Sequence, residues 1–201
     1  MEPEANNRPR NPRFKITATI AIAILLCLLA FLFVRGRRAN PTDVQAGRSM
    51  ELKSTSFFDG ASIPARYTCD GAGVSPSLDW SGAPAATKSF ALILHDPDAP
   101  IDFTHWLAYN IPADVHQLPE GASNDGAMPH GSAEGVNGFR RTGYGGPCPP
   151  GGKPHHYIFL LYALDTDPGL PAGATREQVE SAVRSHIVAT GRLVGTYGRD
   201  E

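Results

Sequence analysis

Short runs of alternating hydrophobic and polar residues recur along the chain downstream of Glu51. Glycine, proline, aspartate and asparagine separate the runs, and these residues favour turns. The pattern predicts a mainly β fold, an antiparallel β-sandwich rather than alternating strands and helices. The predicted strands run from Leu52 to Phe57, Leu78 to Trp80, Lys88 to His95, Trp106 to Ile111, Tyr157 to Asp165 and Leu193 to Tyr197.

One segment near the C terminus has the helical period instead. Thr175, followed three residues later by Gln178, is typical of a capping box. Apolar residues then recur at helical spacing as far as Ile187, and Gly191 is the predicted end of the helix. We therefore expect a C-terminal helix beside the sandwich.

The N-terminal part of the chain has a different pattern. Residues 1–15 are rich in proline, asparagine and arginine, which predicts a disordered basic tail. Residues 16–34 form a run of 19 residues without a charge, long enough to cross a bilayer. We predict a transmembrane anchor there, a polar linker over residues 35–50 and a folded domain over residues 51–201.

A cleaved signal peptide and a lipoprotein signal are the competing interpretations of this run. No small-residue cleavage site lies near Val34 and Arg35, and apolar residues continue past Cys27. An uncleaved anchor is therefore favoured.

The orientation of this anchor is a separate question. Basic residues flank both ends of the run, so their distribution does not decide the orientation. The short N-terminal tail favours a domain on the extracytoplasmic side.

The formal net charge of −2 conceals an asymmetry. The chain has 18 basic and 20 acidic residues, of which eight basic and three acidic residues fall within the first 50 positions. The predicted domain is therefore clearly acidic. Because nucleic-acid binding depends on basic surfaces, we expect no nucleic-acid partner.

Two turn-rich segments carry the polar side chains of a candidate site. The first has Asp-Pro-Asp-Ala-Pro at 96–100 and His-Trp-Leu at 105–107, and the second has Gly-Pro-Cys-Pro-Pro at 146–150 and His-His-Tyr at 155–157. Prolines stiffen such turns, and glycines let backbone N–H groups approach a ligand. In order and spacing these motifs resemble the phosphatidylethanolamine-binding protein family, most closely its bacterial Raf-kinase-inhibitor-like (YbhB/YbcL-type) branch.

The resemblance covers roughly residues 51–198 and implies a small anion pocket. Imidazoles and glycine-loop amides suit a phosphate, and a carboxylate suits an ammonium group. Asp96 would either face the ammonium or fix the tautomer of a neighbouring histidine. We predict a binding protein, not an enzyme, for a phosphate-bearing or other anionic head group such as phosphoethanolamine, without cofactor or metal. The predicted ligand-binding residues are Asp96, His105, His155, Tyr157, Gly146 and Pro147.

Other polar and aromatic residues have structural interpretations. Asp98 is expected to accept hydrogen bonds from local backbone donors, and Trp80 and Trp106 are expected to pack in the core. His156 stands where the family commonly has arginine, and alternation along the strand places it on the solvent side, opposite His155. Four further histidines are expected to be structural: His95, His116, His130 and His186.

The sequence is also compatible with other functions. The alternative is a protein-interaction regulator, similar to kinase or protease inhibitors, whose pocket modulates a partner surface on a predicted loop from Gly121 to Gly138. A hydrolase using the same histidines is a third hypothesis. The histidines and aspartates do not have the spacing of a metal-binding triad. The Gly-x-Ser-x-Gly motif of serine hydrolases is absent from the sequence. Cys148 lacks the Cys–His signature of a catalytic cysteine.

The two cysteines outside the apolar run, Cys69 and Cys148, could form a disulfide or remain as two reduced thiols. Because the resemblance is to bacterial proteins, we expect a single-pass protein of the bacterial inner membrane, with its domain extracytoplasmic. Its expected partners are the head-group ligand, the membrane and a protein.

Overall fold

The computed structural model describes residues 48–123 and 126–199. The predicted tail and anchor, and the predicted linker up to residue 47, lie outside the described residues. No helix in the described ranges is long and apolar enough to cross a membrane. The strands are β1 Arg48–Ser49, β2 Glu51–Lys53, β3 Leu78–Ser81, β4 Ser89–Asp96, β5 Phe103–Pro112, β6 Gln117–Leu118, β7 Ala133–Glu134, β8 His155–Leu164 and β9 Ile187–Tyr197. Helix α1 spans Arg176–Val183 and a short 3-10 helix spans Ala65–Tyr67.

Two sheets face each other. The larger sheet has the order β1-β9-β8-β4-β5-β7 and the smaller one the order β2-β3-β6. All neighbouring strands are antiparallel except β1 and β9, which are parallel. The prediction of a mainly β fold with a C-terminal helix is confirmed. Both faces of the larger sheet are covered, which explains why β4 is buried along its whole length.

The hydrophobic core has two parts, one on each face of the larger sheet. Between the sheets, Trp80 and Trp106 are buried with residues such as Leu92 and Phe159, as predicted for the two tryptophans. On the other face, α1 packs Val179 and Val183 against the sheet. The sheet is therefore held between a second sheet and a helix, and its strand ends are left for polar residues.

The predicted helix start is confirmed and the predicted helix end is wrong. Thr175 and Gln178 form the reciprocal capping box. The helix stops at Val183, because the chain turns at His186, whose ring bonds to Asp165 and whose backbone N–H donates to the Val183 carbonyl. Gly191 lies within β9, where a Cβ atom would stand 3.0 Å from Cβ of Leu52. This glycine permits close packing of the two sheets rather than ending a helix.

Other predicted boundaries also shift. Strand β2 ends at Lys53, since the Ser54 hydroxyl donates to the Ser77 carbonyl and accepts from Ser56 N–H. The predicted loop over 121–138 contains β7, which pairs with β5. The segment is therefore partly held against the larger sheet, and its predicted role in partner binding remains a prediction.

Candidate functional site

The predicted site forms at one end of the larger sheet. Strand β4 ends at Asp96 and the antiparallel β8 begins at His155, so the sheet register brings these residues together. Asp96 Oδ2 lies 2.7 Å from His155 Nδ1, and both side chains are largely buried. Because an ionised carboxylate only accepts, Nδ1 of His155 donates and Nε2 remains for another partner. Of the two roles considered for Asp96, the structure shows the contact with a histidine.

The carboxylate of Asp96 also holds the proline-rich turn. Its Oδ1 accepts the backbone N–H groups of Asp98 at 2.9 Å and Ala99 at 3.1 Å. Together with His155, these donors engage both carboxylate oxygens. Asp96 therefore positions His155 and the turn rather than standing free in a pocket.

His105 reaches the site through a β-bulge. Leu94 pairs with Trp106 but His95 pairs with Thr104, so His105 is the extra residue of β5. Trp106 lies in the core between the sheets, and regular alternation would place His105 on the opposite face. The bulge instead turns its ring toward Tyr157, with ring centroids 5.1 Å apart. His105 was predicted at a strand start, whereas β5 begins at Phe103.

The hydrogen bonds of His105 indicate its tautomer. Nδ1 lies 2.7 Å from the Gly145 carbonyl oxygen, which only accepts, so Nδ1 carries the hydrogen. Burial lowers the pKa of His105, and this outweighs the opposing effects of the Gly145 carbonyl and the Asp96 charge. The ring is therefore neutral near pH 7 and presents Nε2 as an acceptor. His105 would donate from Nε2 only when protonated.

Tyr157 contributes an unsatisfied donor. Its side chain is fully buried, and its hydroxyl makes no hydrogen bond of good geometry with the described residues, although the Asp96 carboxylate lies close enough to interact with it and raise its pKa. Burial, followed by the negative charge of Asp96, raises the pKa of Tyr157, so the phenol stays protonated. A buried hydroxyl without a partner costs about 1–3 kcal/mol. Such a group beside Asp96 and His105 is a natural donor to a ligand.

Gly146 and Pro147 form one wall of the site, and packing against neighbouring segments fixes their position. A Cβ atom on residue 146 would lie 2.8 Å from the carbonyl oxygen of Tyr67, so only glycine fits. The Pro147 carbonyl accepts from Cys69 N–H at 3.0 Å. Cys69 and Cys148 form a disulfide, with Cα atoms 5.4 Å apart, which decides between the two states considered for them. This bridge ties the wall to the segment around Cys69.

Asp98 and His156 form a second pair outside the site. Asp98 Oδ2 lies 2.7 Å from both the backbone nitrogen and Nδ1 of His156. The prediction that Asp98 satisfies local backbone donors is therefore wrong, because Asp96 takes those donors. The hydrogen bond from the His156 ring lowers the pKa of Asp98. The His156 side chain is exposed, as strand alternation predicted.

Two features near the site carried no signal in the sequence. Phe139, which directly follows the predicted loop, packs its ring edge-on to His105 with centroids 5.5 Å apart. His95 is structural, as expected, but its partner Asp102 lies 2.6 Å away and also binds Arg176 of α1. These contacts join residues distant in sequence, so spacing alone could not reveal them.

Within the described residues, no three His, Cys, Asp or Glu side chains are grouped so that they could hold a metal ion.

The comparison with family models identifies the class. The model described as phosphatidylethanolamine-binding protein matches residues 53–198. A UPF0098 protein of Methanothermobacter thermautotrophicus is 48% identical over 151 residues, which cover 75% of this chain and 99% of that protein. A UPF0098 protein of Aquifex aeolicus is 46% identical over 157 residues, which cover 77% of this chain and 91% of that protein.

Solved structures agree with this class. The homologue CT736 from Chlamydia trachomatis has 39% identity and a TM-score of 0.69, and the match covers 76% of this chain and 99% of that one. YbcL of E. coli, described as a new member of the mammalian PEBP family, has 36% identity, a TM-score of 0.71 and the same coverage. The chain belongs to the phosphatidylethanolamine-binding protein family, in its YbhB/YbcL-like branch. Because the matched part makes up nearly all of both solved chains, this domain folds on its own in those relatives.

Proposed function

We propose that the domain binds a small phosphate-bearing or other anionic head group, phosphoethanolamine being the model ligand, at the site formed by Asp96, His105, His155 and Tyr157. The observation that carries the proposal is the Tyr157 hydroxyl, which is buried, protonated and without a hydrogen bond of good geometry among the described residues. An anion oxygen is the acceptor that this donor lacks. A hydrogen bond from a neutral donor to a charged acceptor is stronger than a neutral one.

The histidines would complete the recognition of the head group. Asp96 orients His155 through Nδ1, so Nε2 of His155 accepts from a ligand when the ring is neutral and donates to an anion when the ring is protonated. His105 presents Nε2 as an acceptor, which suits a protonated phosphate oxygen or an ammonium group. The site therefore combines one fixed donor with two imidazoles whose orientation the protein sets. Such a combination is suited to a zwitterion of modest size.

The proposed function is binding rather than catalysis. Cys148, the candidate nucleophile in the sequence, is oxidised in the disulfide and is not available as a thiolate. Asp96 accepts from His155 and from two backbone N–H groups, which favours a positioning role over that of a general base. Incubation with phosphoester substrates should therefore show no turnover above that of the His155→Ala variant. Turnover that this variant abolished would support the hydrolase hypothesis instead.

We also include a membrane anchor over residues 16–34 in the proposal. The charge-free run supports it, and the Cys69–Cys148 disulfide supports an oxidising, extracytoplasmic location for the domain. A fusion of alkaline phosphatase to the C terminus should be active in bacterial cells and should sediment with membranes. A soluble or inactive but stable fusion would contradict the anchor or its orientation.

The central experiment is a calorimetric titration of residues 48–201 with phosphoethanolamine, compared with Tyr157→Phe and His155→Ala. Tyr157→Phe removes only a hydroxyl that has no hydrogen bond of good geometry among the described residues, so it should leave the fold intact. We expect it to weaken binding about tenfold or more, the typical value of a hydrogen bond to a charged group. His156→Ala is the matched control, since this neighbouring histidine is exposed.

Separate titrations with inorganic phosphate and with ethanolamine show which half of the ligand is recognised. Saturable phosphate binding that depends on Tyr157 would support the anion site. Unchanged affinity in Tyr157→Phe, or no saturable binding of phosphoethanolamine at millimolar concentration, would refute the head-group proposal.

A further inference from the structure

A cleft of about 310 Å³ lies between the segment around Cys69 and the segment from Phe139 to Cys148. It shares Gly146 with the proposed head-group site, but Asp96, His105, His155 and Tyr157 do not line it. Its volume is at the lower end of the roughly 300–1,000 Å³ typical of small-molecule sites. The cleft therefore has its own lining, although it adjoins the head-group site, because Phe139 packs on His105 and the Gly145 carbonyl accepts from His105 Nδ1.

A rigid turn forms one side of this cleft. Asn137 is buried, and its Oδ1 accepts from the backbone nitrogens of Phe139 at 2.9 Å and Arg141 at 3.3 Å. Its Nδ2 donates to the Gly143 carbonyl at 2.8 Å. Arg140, at the centre of the turn, has a φ of 60°, a left-handed conformation that is unfavourable for a residue with a Cβ atom. The buried amide holds the turn in this shape.

The turn places a flat apolar surface beside a cation. Phe139 is 38% exposed, although its ring also packs on Phe103 with centroids 4.8 Å apart. The guanidinium carbon of Arg141 lies 5.7 Å from the centre of the Phe139 ring. No carboxylate among the described residues forms an ion pair with Arg141. In a domain with an excess of acidic residues, this arginine is available to an anion.

We propose that this cleft binds a small organic anion with a flat apolar body, such as an aromatic carboxylate. The carboxylate would pair with the planar guanidinium of Arg141, a geometry that arginine favours. The ring would lie against Phe139 and the Cys69–Cys148 disulfide, which supply apolar surface. This site goes beyond the proposed function, since it uses none of the four residues assigned to the head group.

The test is an NMR titration of 15N-labelled residues 48–201 with naphthalene-2-carboxylate. Gly145 and Gly146 are among the residues that line the cleft, and their amide signals should shift saturably. Arg141→Gln should weaken binding about fivefold, as expected for loss of an exposed ion pair. Arg140→Gln is the matched control, since it removes the same charge from the same turn without lining the cleft, and it should keep the affinity within about twofold.

Phe139→Leu should also weaken binding, because it keeps an apolar side chain but removes the ring. Naphthalene-2-methanol, which has the same ring system without the charge, should bind more weakly than the carboxylate. Equal losses in the two arginine variants, equal binding of the alcohol, or the absence of saturable shifts would overturn the proposal. Tyr157→Phe should leave naphthalene-2-carboxylate binding unchanged, so this inference and the head-group proposal can fail independently.

Discussion

Two Asp–His pairs with the same hydrogen-bond length lie next to each other at the end of the larger sheet. Asp96 and His155 form the inner pair, and Asp98 and His156 form the outer pair, each with an O–N distance of 2.7 Å. The side chains of the inner pair are 5% and 14% exposed, and those of the outer pair are 43% and 57% exposed. The same chemistry is therefore placed in two different environments.

The difference shows how burial changes the role of a hydrogen bond between aspartate and histidine. The inner carboxylate organises the turn through two backbone N–H groups and orients His155 next to an unsatisfied tyrosine hydroxyl. The outer carboxylate binds the backbone and ring of His156 in contact with solvent. Water can replace the contacts of the outer pair, but it cannot easily replace those of the inner pair.

The largest expected effect comes from removing the inner carboxylate. Asp96→Ala leaves His155 and two backbone N–H groups without their acceptor, so we expect a loss of about 2–4 kcal/mol in the free energy of unfolding. Asp98→Ala is the matched variant and should cost less than about 1 kcal/mol, because its contacts are exposed. Urea unfolding of residues 48–201 measures both values. Equal losses would show that the two pairs do not differ in the way their burial indicates.

A smaller effect concerns His105, the site histidine that bonds to a backbone carbonyl rather than to a carboxylate. Burial lowers its pKa below the usual value of 6.5. As pH falls through that range, the unfolded chain takes up the proton before the folded domain does, so the contribution of neutral His105 to stability declines. It is fully present above the unfolded value and decreases below it.

Urea midpoints at about pH 7.5 and pH 5 test this expectation in the wild type and in His105→Gln. The wild type should lose more stability on acidification than the variant, in which residue 105 does not titrate. Groups common to both proteins cancel in this difference. An identical pH dependence in the two proteins would contradict a buried, neutral His105.

The smallest expected effect comes from His156→Arg, which introduces a permanent positive charge next to His155 in the sequence. The side chain of His156 is 57% exposed, and its ring is hydrogen-bonded to Asp98 of the outer pair. Phosphoethanolamine affinity should therefore change by less than about twofold at physiological ionic strength, because the added charge is screened by solvent and salt. Calorimetric titration measures it, and a gain of tenfold would place position 156 at the ligand.

The sequence predicted the features that depend on local pattern. Alternating residues located the long strands, although β5 begins three residues before the predicted start at Trp106 and β9 begins six residues before the predicted start at Leu193. The capping box at Thr175 located the start of α1, but helical spacing continued past its true end because β9 also begins with apolar residues. Proline and glycine motifs located the site residues.

The remaining features depended on contacts between distant segments. The sequence left two possible roles for Asp96 and assigned Asp98 to local donors, whereas the register of β4 and β8 brings each aspartate to its own histidine. The bulge that turns His105 toward Tyr157 has no signature in the residues around it. Phe139 reaches His105 only because the chain returns to the sheet after β7.

The sequence by itself determined the fold class, the family and the set of residues that carry the candidate chemistry, because hydrophobic period, turn residues and motif order are local properties of the chain. Only the tertiary structure decided which carboxylate pairs with which histidine, which tautomer His105 adopts, that Tyr157 keeps an unsatisfied hydroxyl, and that Cys69 and Cys148 are joined. The physical reason is that burial and hydrogen-bond partners arise when strands distant in sequence become neighbours in a sheet.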